Sequence, residues 1–197
     1  MNINDLTCSV AEDYDIDGIM AIEENFFKEK EISYKREDII KWMNFNRNMF
    51  YVVRDTNNQV VAFTILVPIT EDCYCKFKQG MVNDLDKLQL GDIVPYMESD
   101  YYYFADVACL NKDANASMII FRTVLPFLIE NTKYIVTTPV TKEGQIKASK
   151  LCAKNTFGES SLELGVPCYI KVEEAIETAK RMIAITDKFI ERSKGKK

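Results

Sequence analysis

The feature that most constrains this chain is a change of hydrophobic period, made twice in succession in its second half. Tyr101 to Leu110 reads YYYFADVACL, an aromatic and apolar run with strong strand character. Past the loop Asn111-Lys112-Asp113-Ala114-Asn115, apolar residues recur at helical spacing at Met118, Ile119, Phe121, Val124, Leu125 and Leu128. Tyr134 to Pro139 returns to strand character, and Lys142 to Asn155 returns to a helical pattern. A strand, a crossover helix and a second strand in one sheet join almost always right-handed and parallel. The sequence therefore predicts an α/β chain with parallel pairing at the centre of its sheet.

The first half predicts antiparallel arms for that sheet. A short strand over Thr7 to Ala11 precedes a helix carrying Ile16, Ile19, Met20, Ile22, Phe26 and Phe27. A second helix spans Lys35 to Asn46, with Ile39, Ile40, Trp42 and Met43 on its apolar face. Two strands, Met49 to Arg54 and Gln59 to Pro68, flank Asp55-Thr56-Asn57-Asn58, whose residue types suit a tight hairpin. Residues 69–100 form an irregular insertion, with a weak helix near Val82 to Leu90. Phe157 to Leu164 and Pro167 to Val172 are closing strands, and Glu173 to Arg192 is an amphipathic helix that either packs on the domain or forms a homodimer interface. The expected organisation is one domain over residues 1–172, followed by a helix and basic tail over 173–197.

Composition removes whole classes of chemistry. The chain has no histidine, so Ser-His-Asp and Cys-His hydrolysis, HExxH metal sites and imidazole bases are excluded. Six scattered cysteines include Cys73-Tyr74-Cys75, but no second pair completes a tetrahedral metal site, and no metal is expected. A net charge of −5 argues against nucleic acid as a partner. No apolar run reaches the roughly 18 residues of a bilayer span, and the start lacks a secretory pattern, so a cytoplasmic protein without a membrane partner is expected.

The order strand, two helices, hairpin, central strand, helix, strand, helix, strands resembles the GCN5-related N-acetyltransferase superfamily over most of residues 5–172. Local patterns agree. SVAEDYDIDGIMAIEENFF is similar to the family's first strand and helix, QVVAFTILVP to its hairpin strand, and Ala148-Ser149-Lys150-Leu151-Cys152-Ala153-Lys154-Asn155-Thr156-Phe157 to its "A..LYeklGF". The resemblance implies a mixed sheet of the acyl-CoA N-acyltransferase kind, with flanking helices and a central parallel pair that splays apart. It implies acetyl-coenzyme A as acyl donor and a small-molecule or peptide primary amine as acceptor. Backbone near Ala108, Cys109 and Leu110 would meet the pantetheine arm, and Lys112 with Asn115, Ala116, Ser117 and Met118 would meet the pyrophosphate, since a helix N-terminus favours an anion. The family's "Q/R-x-x-G-x-G/A" falls on Asn115 to Ile120, with Met118 and Ile120 in place of small residues. Its proton-donating tyrosine maps onto Cys152, and Asp106, sharing a strand face with Tyr102 and Ala108, is the candidate base.

Two other readings remain open on the same residues. Asp13-Tyr14-Asp15-Ile16-Asp17-Gly18 with Glu24 matches the spacing of an EF-hand calcium loop, against the alternative of an acid-rich cap on the first helix. Met118, Ile120 and Cys152 also suit a binding or regulatory module that keeps the fold without cofactor chemistry.

Overall fold

The computed structural model describes residues 1–27, 34–155 and 157–195. It holds β1 (Thr7–Val10), α1 (Ile16–Phe27), α2 (Arg36–Phe45), β2 (Phe50–Arg54), β3 (Val60–Ile69), α3 (Glu71–Lys78), β4 (Tyr101–Cys109), α4 (Ala114–Asn131), β5 (Tyr134–Thr137), α5 (Lys142–Lys150), β6 (Cys168–Lys171) and α6 (Val172–Lys194). The strands follow one another in the sheet in chain order, antiparallel in both arms and parallel between β4 and β5. None of the helices is long and apolar enough to cross a membrane, among the described residues. The chain resolves into two compact units, one of Met1–Ile65, Asp106–Val124 and Met182–Lys197, the other of Leu66–Ala105 and Leu125–Arg181.

In the first unit β1 pairs with β2 through Cys8↔Val53 and Val10↔Tyr51, and β2 pairs with β3 through Phe50↔Ile65. The hairpin forms because Asp55 Oδ1 accepts from the N–H groups of Asn57 and Gln59, each at 2.9 Å, while Asn58 takes the left-handed position at φ 61°. Helix α1 lies so close to β3 that a Cβ at Gly18 would come within 2.7 Å of Val60 Cβ, so only glycine fits there without displacement. Ile19, Ile22, Ile39, Trp42, Phe50, Val52 and Phe63 form the core of this unit.

The acid cluster before α1 is spent on arginines rather than on a cation. Arg54 Nε donates to Asp15 Oδ1 at 2.8 Å, Nη2 to Asp15 Oδ2, and Nη1 to Ser9 Oγ at 2.6 Å. Arg47 pairs with Glu12 and Asp13, and Arg36 pairs with Asp17. Glu23 is buried and accepts from the Tyr34 N–H. The segment from Ile16 onward is helix, whereas an EF-hand needs it as loop, so the calcium reading gives way to the helix cap.

The second unit is organised by tyrosines. Tyr101↔Tyr134, Tyr102↔Ile135 and Tyr103↔Val136 pair β4 with β5 in parallel, and Tyr134↔Lys171 pairs β5 with β6. The Tyr101 and Tyr134 rings stack at 5.5 Å, with Tyr74 of α3 at 4.8 and 5.4 Å from them. Phe77 covers Tyr103 on the same face, whereas Tyr102 faces the other way, against Phe127 of α4.

Three expectations in this unit change. The helix of residues 69–100 is α3, not Val82 to Leu90, which holds only the tight turns Leu85–Lys87 and Leu90–Asp92. Thr70 caps α3 by accepting from the Cys73 N–H, Glu71 and Asp72 occupy its first turn, and Cys73 and Phe77 are buried one turn apart. Helix α5 stops at Lys150 instead of Asn155. Phe157 to Leu164 is irregular chain rather than a strand, because the Asn155 side chain accepts from the Phe157 and Glu159 N–H groups and turns the backbone there. Thr156 lies outside the described residues.

Removing one partner of a buried ion pair strands the other charge. Asp15→Ala is expected to lower unfolding free energy by about 3–5 kcal/mol, and Asp15→Leu with Arg54→Met by less than either single change, as read by denaturant titration. Asp92 supplies a pH test. Burial opposes its ionisation, but the Lys76 ammonium and the Gln89 N–H prevail and hold its carboxyl below the ordinary 3.8. Its contribution is therefore present above the unfolded value and lost as pH falls through the lower folded one, so Asp92→Asn should flatten the acid limb of a stability–pH curve.

Candidate functional site

The site begins where β4 outruns its neighbour. Parallel pairing with β5 ends at Tyr103↔Val136, while β4 continues to Cys109. Along that strand Ala105, Asp106 and Val107 are half-exposed, between the buried stretches Tyr102–Phe104 and Ala108–Cys109. By strand alternation Asp106 shares its face of β4 with Ala108.

Beyond Cys109 the chain reverses through Leu110–Lys112, with Asn111 at φ 53° and Lys112 at φ 54°. Two consecutive non-glycine residues in the left-handed region cost on the order of 1–3 kcal/mol each. The turn delivers the chain directly into α4 at Ala114. The helix N-terminus is already capped. Asp113 Oδ1 accepts from the N–H groups of Asn115 at 2.8 Å and Ala116 at 3.2 Å, and Asp113 Oδ2 accepts from the Met1 ammonium at 2.7 Å. Asn115 Nδ2 donates to the Met1 carbonyl at 2.8 Å. Burial opposes the charge on Asp113, but the ammonium and the two backbone donors hold its carboxyl below the usual range.

The helix starts earlier than its apolar pattern suggested, at Ala114. Its first turn is Ala114-Asn115-Ala116-Ser117, small or polar throughout. Ile120 is fully buried in the core and Met118 half-buried, so neither stands at the start of the helix. Thus Lys112, Asn115, Ala116 and Ser117 gather around one turn with Leu110, while Ala108 and Cys109 lie buried in the strand leading to it.

Cys152 belongs to the other unit, where it ends α5. The Ala153 N–H donates to the Ala148 carbonyl at 3.1 Å and the Cys152 N–H to the Ser149 carbonyl at 3.1 Å, the paired bonds of a Schellman cap. Cys152 fills the left-handed position of that cap at φ 60°, where glycine is usual. Burial pushes the thiols of Cys73 and Cys168 up to about 12, so neither is poised for chemistry. Among the described residues no group of His, Cys, Asp and Glu side chains could hold a metal ion.

Neither a family model nor a curated protein matches the sequence. Solved structures match in fold. The loading GNATL domain of CurA from Lyngbya majuscula superposes with a TM-score of 0.60 at 10% identity, over 85% of this chain and 98% of that domain. YhbS from Escherichia coli, a GNAT family N-acetyltransferase solved in complex with CoA, gives 0.53 at 13% identity, over 88% and 84%. A mosquito arylalkylamine N-acetyltransferase like 5b gives 0.53 at 12% identity, over 84% and 99%. With its strand order, its short parallel pairing and α4 entered straight from β4, the chain has the fold of the GCN5-related N-acetyltransferase superfamily.

Proposed function

We propose that this chain binds an acyl-coenzyme A and transfers the acyl group, acetyl in the simplest case, directly to a primary amine. One observation carries the reading: β4 leaves β5 after three residue pairs and runs unpaired with it toward a helix whose first turn has only small or polar side chains. On the edge where a strand has parted from its neighbour its backbone can bond an amide-rich ligand arm, and a helix N-terminus favours a phosphate. YhbS, of the same fold, is bound to CoA, and GphF, a GNAT-like decarboxylase, to isobutyryl-CoA.

In this reading, backbone groups at Ala108, Cys109 and Leu110 hold the pantetheine arm. The first turn of α4, from Asn115 to Met118, holds the pyrophosphate together with the Lys112 ammonium. Coenzyme A supplies a thioester whose carbonyl the amine attacks. Asp106 takes the proton that the amine loses. The fit is partial in one respect. The N–H groups of Asn115 and Ala116 are held by the Asp113 carboxylate, so an anion can use them only when Asp113 lets go.

That occupied terminus also favours a second reading, a binding or regulatory module that keeps the fold without the cofactor. Melting temperature against acetyl-coenzyme A separates the two. A ligand at 100 times its Kd stabilises by about 2.7 kcal/mol, so the transferase reading expects a clear upward shift in Tm, and no shift at millimolar ligand supports the module. Asp113→Asn should tighten the complex by about threefold or more, the size of one charge at a helix terminus. For chemistry, Asp106→Asn should lower kcat by about 10²–10⁴-fold while the ligand-induced Tm shift stays as in the parent chain; unchanged turnover removes that role.

A further inference from the structure

A second surface, within the unit of Leu66–Ala105 and Leu125–Arg181, has the character of a docking groove. It is an open trough of about 470 Å³, lined by Lys142, Gln145, Ile146, Ser149 and Lys150 of α5 and by Ser160 and Leu162 of the loop that follows. The α5 residues recur every three or four positions, so they form one outward stripe, while Ala148 and Leu151 point into the core. The loop wall is fixed in place. Gln145 Nε2 donates to the Leu162 carbonyl, the Gly165 N–H donates to the Pro139 carbonyl at 2.9 Å, and Glu159 is turned back onto Asn155 and Ser161.

The geometry points to an extended acidic peptide as the occupant of this groove, with an apolar residue midway between two carboxylates. The reading is independent of acyl transfer. Lys142 and Lys150 are eight residues apart on α5, about 12 Å at 1.5 Å per residue, with Ile146 about 6 Å from each. An extended peptide advances about 3.3 Å per residue and shows every second side chain to one side. Its positions i, i+2 and i+4 therefore span about 13 Å, which matches the lysine, isoleucine, lysine order. Charge complementarity selects the acidic form, since Lys142 bonds only Gln145 at 2.7 Å and Lys150 makes no ion pair among the described residues. Ile146 is 48% exposed and Leu162 lines the facing wall, which leaves apolar surface for the middle residue.

The test is fluorescence anisotropy of the full chain with a labelled, end-blocked heptapeptide Gly-Glu-Ser-Leu-Ser-Glu-Gly. Saturable binding below about 1 mM is expected, weakened at least tenfold by Lys142→Glu with Lys150→Glu, by Ile146→Ser, and by lysine in place of the peptide glutamates. These positions face solvent, so Tm should stay at the parent value. If a variant melts early, the peptide changes still decide. The proposal is overturned if the parent chain gives no saturable signal, if the charge-reversed chain or the lysine peptide binds equally well, or if single-stranded oligothymidylate binds as tightly, which would mark nonspecific attraction. Displacement of the peptide by coenzyme A would also overturn it, by assigning the groove to the cofactor.

Discussion

The rest of the structure depends on where β4 and β5 stop pairing. Tyr101 and Tyr134 stack across the first parallel pair, and Tyr74 from α3 packs on both, so the strands are pinned together at their N-terminal ends by rings too large to slide past each other. Only two further pairs follow. Aromatic packing at one end and released backbone at the other are two sides of one arrangement. The half-buried rings hold the two strands together at the end where β4 still has its β5 partner.

The released end leads to a helix terminus where charge decides the chemistry. Four orphan N–H groups at the start of a helix attract whatever anion is nearest, and in α4 that anion is the chain's own Asp113. Its carboxylate is further neutralised by the Met1 ammonium. The same field that suits a pyrophosphate has therefore recruited an internal competitor. Whether the terminus takes a ligand is a contest between one tethered carboxylate and a more highly charged phosphate group. The flanking Lys112 adds to the phosphate side of that balance.

Much of this was legible in the sequence. The alternation of periods pointed to a parallel centre with antiparallel arms, and Asp55 with Asn58 marked the hairpin. Elements with a strong apolar stripe, such as Ile39, Trp42 and Met43 in α2, fell within a residue or two of their observed bounds. Helix α3 was missed because its apolar face is only Cys73, Tyr74 and Phe77, although Thr70 followed by Glu71 and Asp72, with Lys76 and Lys78 at the end, is a complete set of capping and dipole signals. The start of α4 was placed too late for a related reason. Ala114 to Ser117 are small or polar, so hydrophobic period does not report them. The arginine partners of Asp13, Asp15 and Asp17 lie 19 to 39 residues away in sequence, beyond the reach of any local pattern, which is why a calcium-loop spacing looked sound.

The three residues Asn111, Lys112 and Cys152 show where the fold tolerates strain. All are outside glycine's usual monopoly on positive φ, and together they cost several kcal/mol, against a total stability of about 5–15 kcal/mol for a domain. Such conformations persist only where surrounding bonds over-determine them. At Cys152 the Schellman pair does so, and the reward is an abrupt end to α5 that leaves Lys142, Ile146 and Lys150 on a short, straight stripe beside the loop. At Asn111 and Lys112 the reversal brings Lys112 to the mouth of α4 with no intervening linker. A glycine at either position would relax the backbone but loosen the orientation of the lysine, so the strained turn is best understood as holding a cation beside the helix terminus.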